Sequence, residues 1–226
     1  MPKICKCMAT IVGLGLTALR HNQAMENREL AIAAAAARRM VDDGMEAGRA
    51  KRQALHDLNL PGRTPLPAHD TLLRAVREHI AIFCPQSQAQ ALQRLRHLAL
   101  RWMLVMQDYA PHLTGAAWDG TATDKHDIYV QLFSDDPKAP EITLLNAGHR
   151  FQGSQGVGLR QPEVPVLTVY DTLRQASQPT AVHFIVNLHD ALRGALRGRN
   201  QEGPARGSID ALRQRLDGAL AGAAQP

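Results

Sequence analysis

The sequence is poor in aromatic residues and in cysteine. Phe, Trp and Tyr together make up 4% of the 226 residues, so a core must be built mainly from Ala, Leu, Ile and Val. The three cysteines are Cys5, Cys7 and Cys84. This small, odd set is not a disulfide framework and favours a reducing, cytoplasmic compartment. A zinc site is disfavoured too, because Cys5 and Cys7 have no second ligand pair at the required spacing.

Several nucleotide-binding and membrane signals are also missing. The chain has no G-x-x-x-x-G-K-[ST] sequence, which excludes a P-loop, and "GSQGVG" at 153–158 lacks the order of a dinucleotide loop and predicts an ordinary loop. The apolar run within residues 1–24 is too short to span a bilayer, so no membrane partner is expected. Arg20 follows this run without a small-residue cleavage site. We therefore expect 1–24 to be a disordered or non-native extension.

Residues 25–110 have the pattern of helices. Four amphipathic stretches are separated by Gly44, by the proline-rich linker "PGRTPLP" and by Cys84-Pro85. The first 110 residues carry 15 Lys and Arg against 9 Asp and Glu. A basic cluster on the first two helices suits either contact with nucleic-acid phosphates or a solvated helix face; it comprises Arg38, Arg39, Arg49, Lys51 and Arg52.

The pattern changes to strands in residues 111–226. Four short runs are rich in β-branched and aromatic residues: "DIYVQLF", "EITLLNAG", "VPVLTVY" and "AVHFIVNL". The turn "SDDPKAP" predicts that the first two form a hairpin, which would put Glu141 on a strand next to Asp127. A last helix follows Ser208, which is a suitable N-cap. The chain is therefore predicted to be α+β, with N-terminal helices followed by a small mixed sheet.

The segment "LTGAAWDGTATDKHDIYVQLF", residues 113–133, is the strongest candidate for a functional site. Gly115 allows a tight turn after a strand, Ala116 to Asp119 suit one helical turn, and Gly120 ends it. In the strand that follows, alternation puts Asp127, Tyr129 and Gln131 on one face. A polar face beside a glycine turn is suited to binding a nucleotide.

This segment resembles the nucleotidyltransferase superfamily, above all its uncharacterised bacterial branches of the toxin–antitoxin type. In that superfamily a Gly-Ser turn precedes a strand that reads Asp-hydrophobic-Asp. Gly115, Gly120, Asp127 and Ile128 match the pattern over about 20 residues, and the order of helices and strands extends the likeness loosely over 88–190. Two positions depart from it: Ala116 replaces the serine and Tyr129 replaces the second aspartate.

The resemblance implies a site and an activity. It implies a domain over 111–226 that binds an NTP, with Mg²⁺ at Asp127 and help from Glu141 or Asp171. Residues that would hold the nucleotide are Gly115, Ala116, Gly120, His126 and Tyr129. The implied reaction moves a nucleotidyl group from an NTP to a protein or RNA. Two alternatives stay open: a non-catalytic nucleotide-binding or regulatory module, and one member of a toxin–antitoxin-like pair that meets a protein partner.

Overall fold

The computed structural model describes residues 5–172, 179–195 and 205–223. Within it, contacts divide the chain into two compact units, Met1–His79 and Ile80–Pro226. The second unit contains the helix over residues 85–105, which was predicted as part of the helical region over 25–110.

The first unit is helical. Its first helix, α1 (Cys5–Asp43), covers most of the segment set apart above as an extension, and Gly44 ends it with a positive φ of 68°. The second helix is α2 (Ala47–Asp57), where the Glu46 side chain accepts a hydrogen bond from the Gly48 amide. The third, α3 (His69–Phe83), continues into the second unit.

The second unit places helices around a mixed sheet. The helices are α4 (Pro85–Val105), α5 (Ala116–Asp119), α6 (Ala139–Asn146), α7 (Leu192–Ala195) and α8 (Ile209–Ala223). The strands are β1 (His112–Thr114), β2 (Ile128–Phe133), β3 (Gln152–Gly156), β4 (Val164–Asp171), β5 (Thr180–Asn187) and β6 (Arg206–Gly207). Two 3₁₀ turns cover Gln107–Tyr109 and His189–Ala191. This order confirms the predicted α+β class, with helices preceding a mixed sheet.

The sheet has the strand order β3-β4-β5-β2-β1-β6. Strands β2 and β5 are parallel neighbours, with Tyr129 opposite His183, and the other pairings are antiparallel. The central position of β2 follows from its composition, because Ile128, Val130 and Leu132 are fully buried. The strand that begins after Asp127 is therefore the scaffold of the candidate site.

The two faces of the sheet differ in chemistry. One face carries the alternate apolar residues of β2, β4 and β5, and it packs against α4, α6 and α8 through Trp102, Leu144 and Leu212. The opposite face carries the intervening residues, most of which are polar. Burial of the apolar face holds the polar face in place, since a slip of one residue in register would exchange the two.

Two local predictions were wrong. The run "EITLLNAG" is helix α6 and not a strand, so β2 has no hairpin partner on that side. Pro140 suits the first helical turn, and Pro140 and Leu144, four residues apart, bury one side of the helix. That burial outweighs the strand preference of the β-branched residues. The segment "GSQGVG", predicted as a loop, contains most of the edge strand β3.

Among the described residues, no helix combines the length and apolar character needed to cross a bilayer.

Candidate functional site on the polar face of the sheet

The polar side chains of the second sheet face form the candidate site, called here the polar face. It comprises Thr114, Asp127, Tyr129, Gln131, Thr168, His183 and Arg206. Five strands and the residue before β2 contribute these side chains, and the register of the sheet brings them side by side. The polar face therefore depends on pairing between segments that are far apart in the sequence.

His183 stands at the centre of the polar face. Its ring stacks on Tyr129, with ring centroids 4.8 Å apart and planes inclined by 25°. Nδ1 lies 2.9 Å from the hydroxyl of Thr168, and Nε2 lies 3.5 Å from Oδ2 of Asp127. The imidazole is thus oriented by two polar partners and one aromatic ring, in the manner of a positioned functional histidine.

Asp127 is the acidic group of the polar face. Its side chain is 46% exposed, and its Oδ1 accepts a hydrogen bond of 3.4 Å from the Ala181 amide. With the His183 contact, both carboxylate oxygens have one protein neighbour each and remain open to solvent. Asp127 can therefore accept a hydrogen bond from a ligand hydroxyl or amine.

A positive charge lies on the other side of the polar face. Arg206, on β6, donates a hydrogen bond to the side chain of Gln131, and its backbone pairs with Thr114. His112 is the partner of Gln131 on β1, and its Nδ1 donates a 2.8 Å hydrogen bond to the Ala110 carbonyl oxygen. Burial lowers the pKa of His112 and the charge of Arg206 lowers it further, although the Ala110 hydrogen bond opposes the shift.

The glycine turn next to the polar face is built as the sequence predicts. Gly115 follows β1 with φ 70° and ψ −157°, a conformation open almost only to glycine, and Gly120 ends α5 with φ 84°. A β-carbon on Gly115 would lie 3.9 Å from the Tyr129 ring, so the turn is adjacent to the polar face. Ala116, the first residue of α5, accepts backbone hydrogen bonds from three following amides.

Three side chains hold this turn from behind. Gln88 on α4 donates to the carbonyl oxygens of residues 120 and 122, at 3.0 and 2.9 Å. Arg96 donates to the carbonyls of residues 117 and 118, at 2.9 and 3.2 Å. Arg215 on α8 donates to the Trp118 carbonyl at 2.6 Å and stacks 3.6 Å above its ring. The carbonyls left open by α5 are thus paired, and the turn has a defined position.

The predicted catalytic carboxylates are not gathered around Asp127. Glu141 lies on α6, which packs on the apolar face, and pairs with Lys138 at 2.8 Å. Asp171 ends β4 on the apolar side of the sheet, where it accepts a 2.8 Å hydrogen bond from Nε1 of Trp102. The described residues contain no group of three His, Cys, Asp or Glu side chains placed to hold a metal ion.

His126, predicted to contact the nucleotide, has its ring turned into the protein. Only 7% of the residue is exposed, and Nδ1 accepts hydrogen bonds from the Thr123 amide and hydroxyl, at 3.1 and 3.0 Å. Burial lowers its pKa, against the raising effect of Asp127 and Asp124. This geometry makes His126 a residue that shapes the loop before β2.

Comparison with known proteins gives partial structural likeness. No family model matches the chain, and no curated protein matches it. One similar solved structure is a cytoplasmic RNA terminal U-transferase, with 18% identity over 57% of this chain and 40% of that chain, at a TM-score of 0.29. Another is a poly(U) polymerase with MgGTP bound, with 17% identity over 58% of this chain and 44% of that chain, also at 0.29. The chain thus covers less than half of either relative, and a likeness this low carries no argument about the site.

The predicted basic cluster is largely compensated by neighbouring groups. Arg39 is paired with Asp57 at 2.9 Å and with Asp43 at 3.1 Å, which raises its pKa. Arg38 lies 3.7 Å from an aspartate one turn later, and Lys51 donates to a backbone carbonyl at 2.6 Å. The remaining two members, Arg49 and Arg52, are exposed. Most of this positive charge is therefore used within the first unit.

Sequence reasoning missed the residues that complete the polar face. His183 reads as a surface or packing residue, although alternation with the buried Val182 and Phe184 already puts it on the opposite side of its strand. Arg206 gives no such signal, because β6 has two residues and follows a polar segment. Only pairing of β6 with β1 brings Arg206 next to Gln131.

Proposed function

We propose that the polar face binds a nucleotide and catalyses no metal-dependent transfer. The observation that supports this most directly is the identity of the neighbours of Asp127. Tyr129 is the first residue after Asp127 on the same face of β2. His183 is the partner of Tyr129 on the adjacent parallel strand β5. Both positions are adjacent to the Asp127 carboxylate, and both carry ring side chains where a metal site would need further carboxylates.

The donor set does not fit Mg²⁺. This ion requires near-octahedral oxygen ligands, and a two-metal site requires carboxylates that reach both ions about 3.5–4 Å apart. Among the residues that the structure describes, Asp127 is the single carboxylate of the polar face, while Glu141 and Asp171 belong to the apolar side. No chemical step is therefore assigned to a metal ion at this site.

The polar face offers complementary contacts for each part of a nucleotide. The stacked rings of Tyr129 and His183 give a flat surface for a base or ribose. Asp127 supplies acceptor oxygens for a hydroxyl or an amino group, and Arg206 supplies positive charge for phosphate. The glycine turn at Gly115 leaves the backbone beside Tyr129 without a side chain, so a ligand can approach it closely.

Equilibrium dialysis with each of the four labelled ribonucleoside triphosphates tests the proposal, in EDTA and in Mn²⁺. We expect binding of at least one nucleotide in EDTA. The variant D127N should weaken it about tenfold, because a charge-assisted hydrogen bond is lost. Asp124, an exposed aspartate in the preceding loop, provides the matched control D124N, which should bind like the wild type. No binding by folded protein would overturn the proposal.

The transferase alternative is tested in the same samples. α-Labelled triphosphates are incubated with the protein and total RNA in Mg²⁺ or Mn²⁺, and covalent label is counted. We expect none. Label that appears with wild type and D124N but not with D127N would reject the non-catalytic reading and establish a transferase.

A gain-of-function variant tests the geometric argument. In Y129D/H183D, two new carboxylates would stand on paired positions about 4.8 Å apart, next to Asp127. This variant should bind Mn²⁺ detectably by electron paramagnetic resonance, and the wild type should not. A folded double variant without Mn²⁺ binding would show that these three places do not form a metal site.

A further inference from the structure

A cavity lies on the apolar side of the sheet, at the end of β4, and is lined neither by the glycine turn nor by residues of the polar face as defined above. It has a volume of about 420 Å³, within the range of small-molecule sites. Its walls come from α4, from the segment after α6 and from β4. We call it the Trp102 cavity, after the tryptophan that lines it.

The aromatic wall of the cavity is fixed by local structure. Gly148 adopts a left-handed conformation with φ 72°, and the amide of the next residue, His149, bonds to the Leu144 carbonyl at 2.9 Å. This helix-ending motif directs His149 against Trp102, with ring centroids 4.7 Å apart at 62°. Tyr170 also borders the cavity, but its side chain is on the other face of the sheet, where its hydroxyl donates to Gln152 at 3.4 Å.

The charged groups of the cavity differ in whether they have a partner. Asp171 accepts hydrogen bonds from Nε1 of Trp102 and from Arg101, so its carboxylate is held and compensated inside the cavity. Arg150 is exposed and forms no hydrogen bond or ion pair with any described residue. One guanidinium at the rim is thus available to a ligand, and guanidinium groups favour planar or tetrahedral oxyanions.

We propose that the Trp102 cavity binds a small ligand with a planar aromatic ring and an anionic group. The ring would pack against His149 and Trp102, above the apolar floor of Val105 and Val169, and the anion would meet Arg150. A nucleoside monophosphate and an aromatic carboxylate share this chemistry, so both classes are used as probes.

Tryptophan fluorescence of the full-length protein gives a local readout. The chain has two tryptophans, and Trp118 lies outside the cavity, so W118F leaves Trp102 as the single reporter. We expect saturable quenching by one of the two probe classes: the four ribonucleoside monophosphates, or benzoate and 2-naphthoate. The parallel variant W102F should show no quenching. Equilibrium dialysis of the wild type with the same probes gives a second measurement if W118F does not fold.

Charge variants then test the assigned contacts. R150Q should weaken binding about tenfold, whereas R213Q, which removes another exposed arginine, on α8, should have no effect. D171N keeps an oxygen for the Trp102 Nε1–H and removes a negative charge, so it should strengthen anion binding several-fold. Quenching of Trp102, which lines this cavity, separates binding here from any binding at the polar face.

Three results would contradict the proposal that the Trp102 cavity binds an aromatic anion. No saturable quenching or dialysis signal with either probe class would show that the cavity does not bind aromatic anions. Equal weakening by R150Q and R213Q would indicate non-specific attraction to positive charge. Loss of binding in D171N would mean that the carboxylate itself holds the ligand, and that the site selects cations.

Discussion

Replacing Gly115 by alanine tests how strongly the backbone of the glycine turn is constrained. At φ 70° and ψ −157°, Gly115 occupies a region that residues with a β-carbon almost never adopt. The added methyl group meets no obstacle, since the nearest side-chain atom is 3.9 Å away, so the cost is conformational. We expect G115A to lower the free energy of unfolding by about 3 kcal/mol.

Two matched substitutions separate this cost from a general effect of alanine. Gly120, at φ 84° and ψ 14°, is in the left-handed helical region, which L-residues tolerate better, and G120A should cost about 1 kcal/mol. Gly153 on the edge strand has open space around it and no positive φ, so G153A should be neutral or slightly stabilising. Urea unfolding followed by circular dichroism gives all three values.

The test is whether the loss in free energy of unfolding decreases in the order G115A, G120A, G153A. If G115A cost no more than G120A, the turn would not be held in the conformation described, and the account of Gly115 would be wrong. If the polar face binds a nucleotide, G115A should also weaken that binding, because the turn adjoins Tyr129.

Three further predictions concern core packing, a buried hydrogen bond and the loss of stability at low pH. G207A should lower stability by about 1–3 kcal/mol and shift the emission of Trp118, because a β-carbon there would lie 2.7 Å from one ring atom and closer to two others. Q88A should cost about 1–3 kcal/mol, since it leaves two loop carbonyls unpaired. H126N should reduce the loss of stability in acid while keeping an acceptor for the Thr123 amide.

The sign of the acid effect follows from the direction of the pKa shift. Burial lowers the pKa of folded His126 below its ordinary value of 6.5, so the unfolded chain takes up the proton more readily. Its contribution to stability is therefore fully present above 6.5 and is lost as the pH falls below that value. Unfolding by urea at several pH values, for wild type and H126N, measures the difference.

The variants Q88A, G207A and H126N each have a control or a result that would contradict the prediction. Q90A, on an exposed position of the same helix, should change stability by less than about 0.5 kcal/mol, and an equal effect of Q88A would refute the role of Gln88. Unaltered Trp118 emission in G207A would show that Gly207 is not packed against that ring. A pH dependence that is the same in H126N and wild type would assign the acid sensitivity to other groups.

Local sequence signals predicted the glycine turn, β2 and several of the helices. Positive φ at Gly115 and Gly120 and the apolar alternation of Ile128, Val130 and Leu132 are properties of short segments, so they can be inferred without knowledge of distant residues. The N-cap at Ser208 is a similar case, because its hydroxyl accepts from the Ala211 amide at 3.4 Å.

The errors occurred where distant packing decided the outcome. In α6 the β-branched residues favour a strand, but burial of Leu144 against the sheet favours a helix. The position of Glu141 was therefore wrong, together with its predicted place next to Asp127. Asp171 ends a strand as expected, and only the register of β4 against β5 determines that it faces Trp102 and the apolar side.

The sequence by itself determined the class of fold and the presence of one polar strand face beside a glycine turn, because alternation and glycine conformations act over a few residues. The tertiary structure decided which groups surround Asp127. Strand pairing across more than 50 residues brings His183 to that carboxylate, and pairing with β6 brings Arg206 to the same face. Such contacts depend on the register of the whole sheet, which is set by burial of its apolar face and not by any local motif.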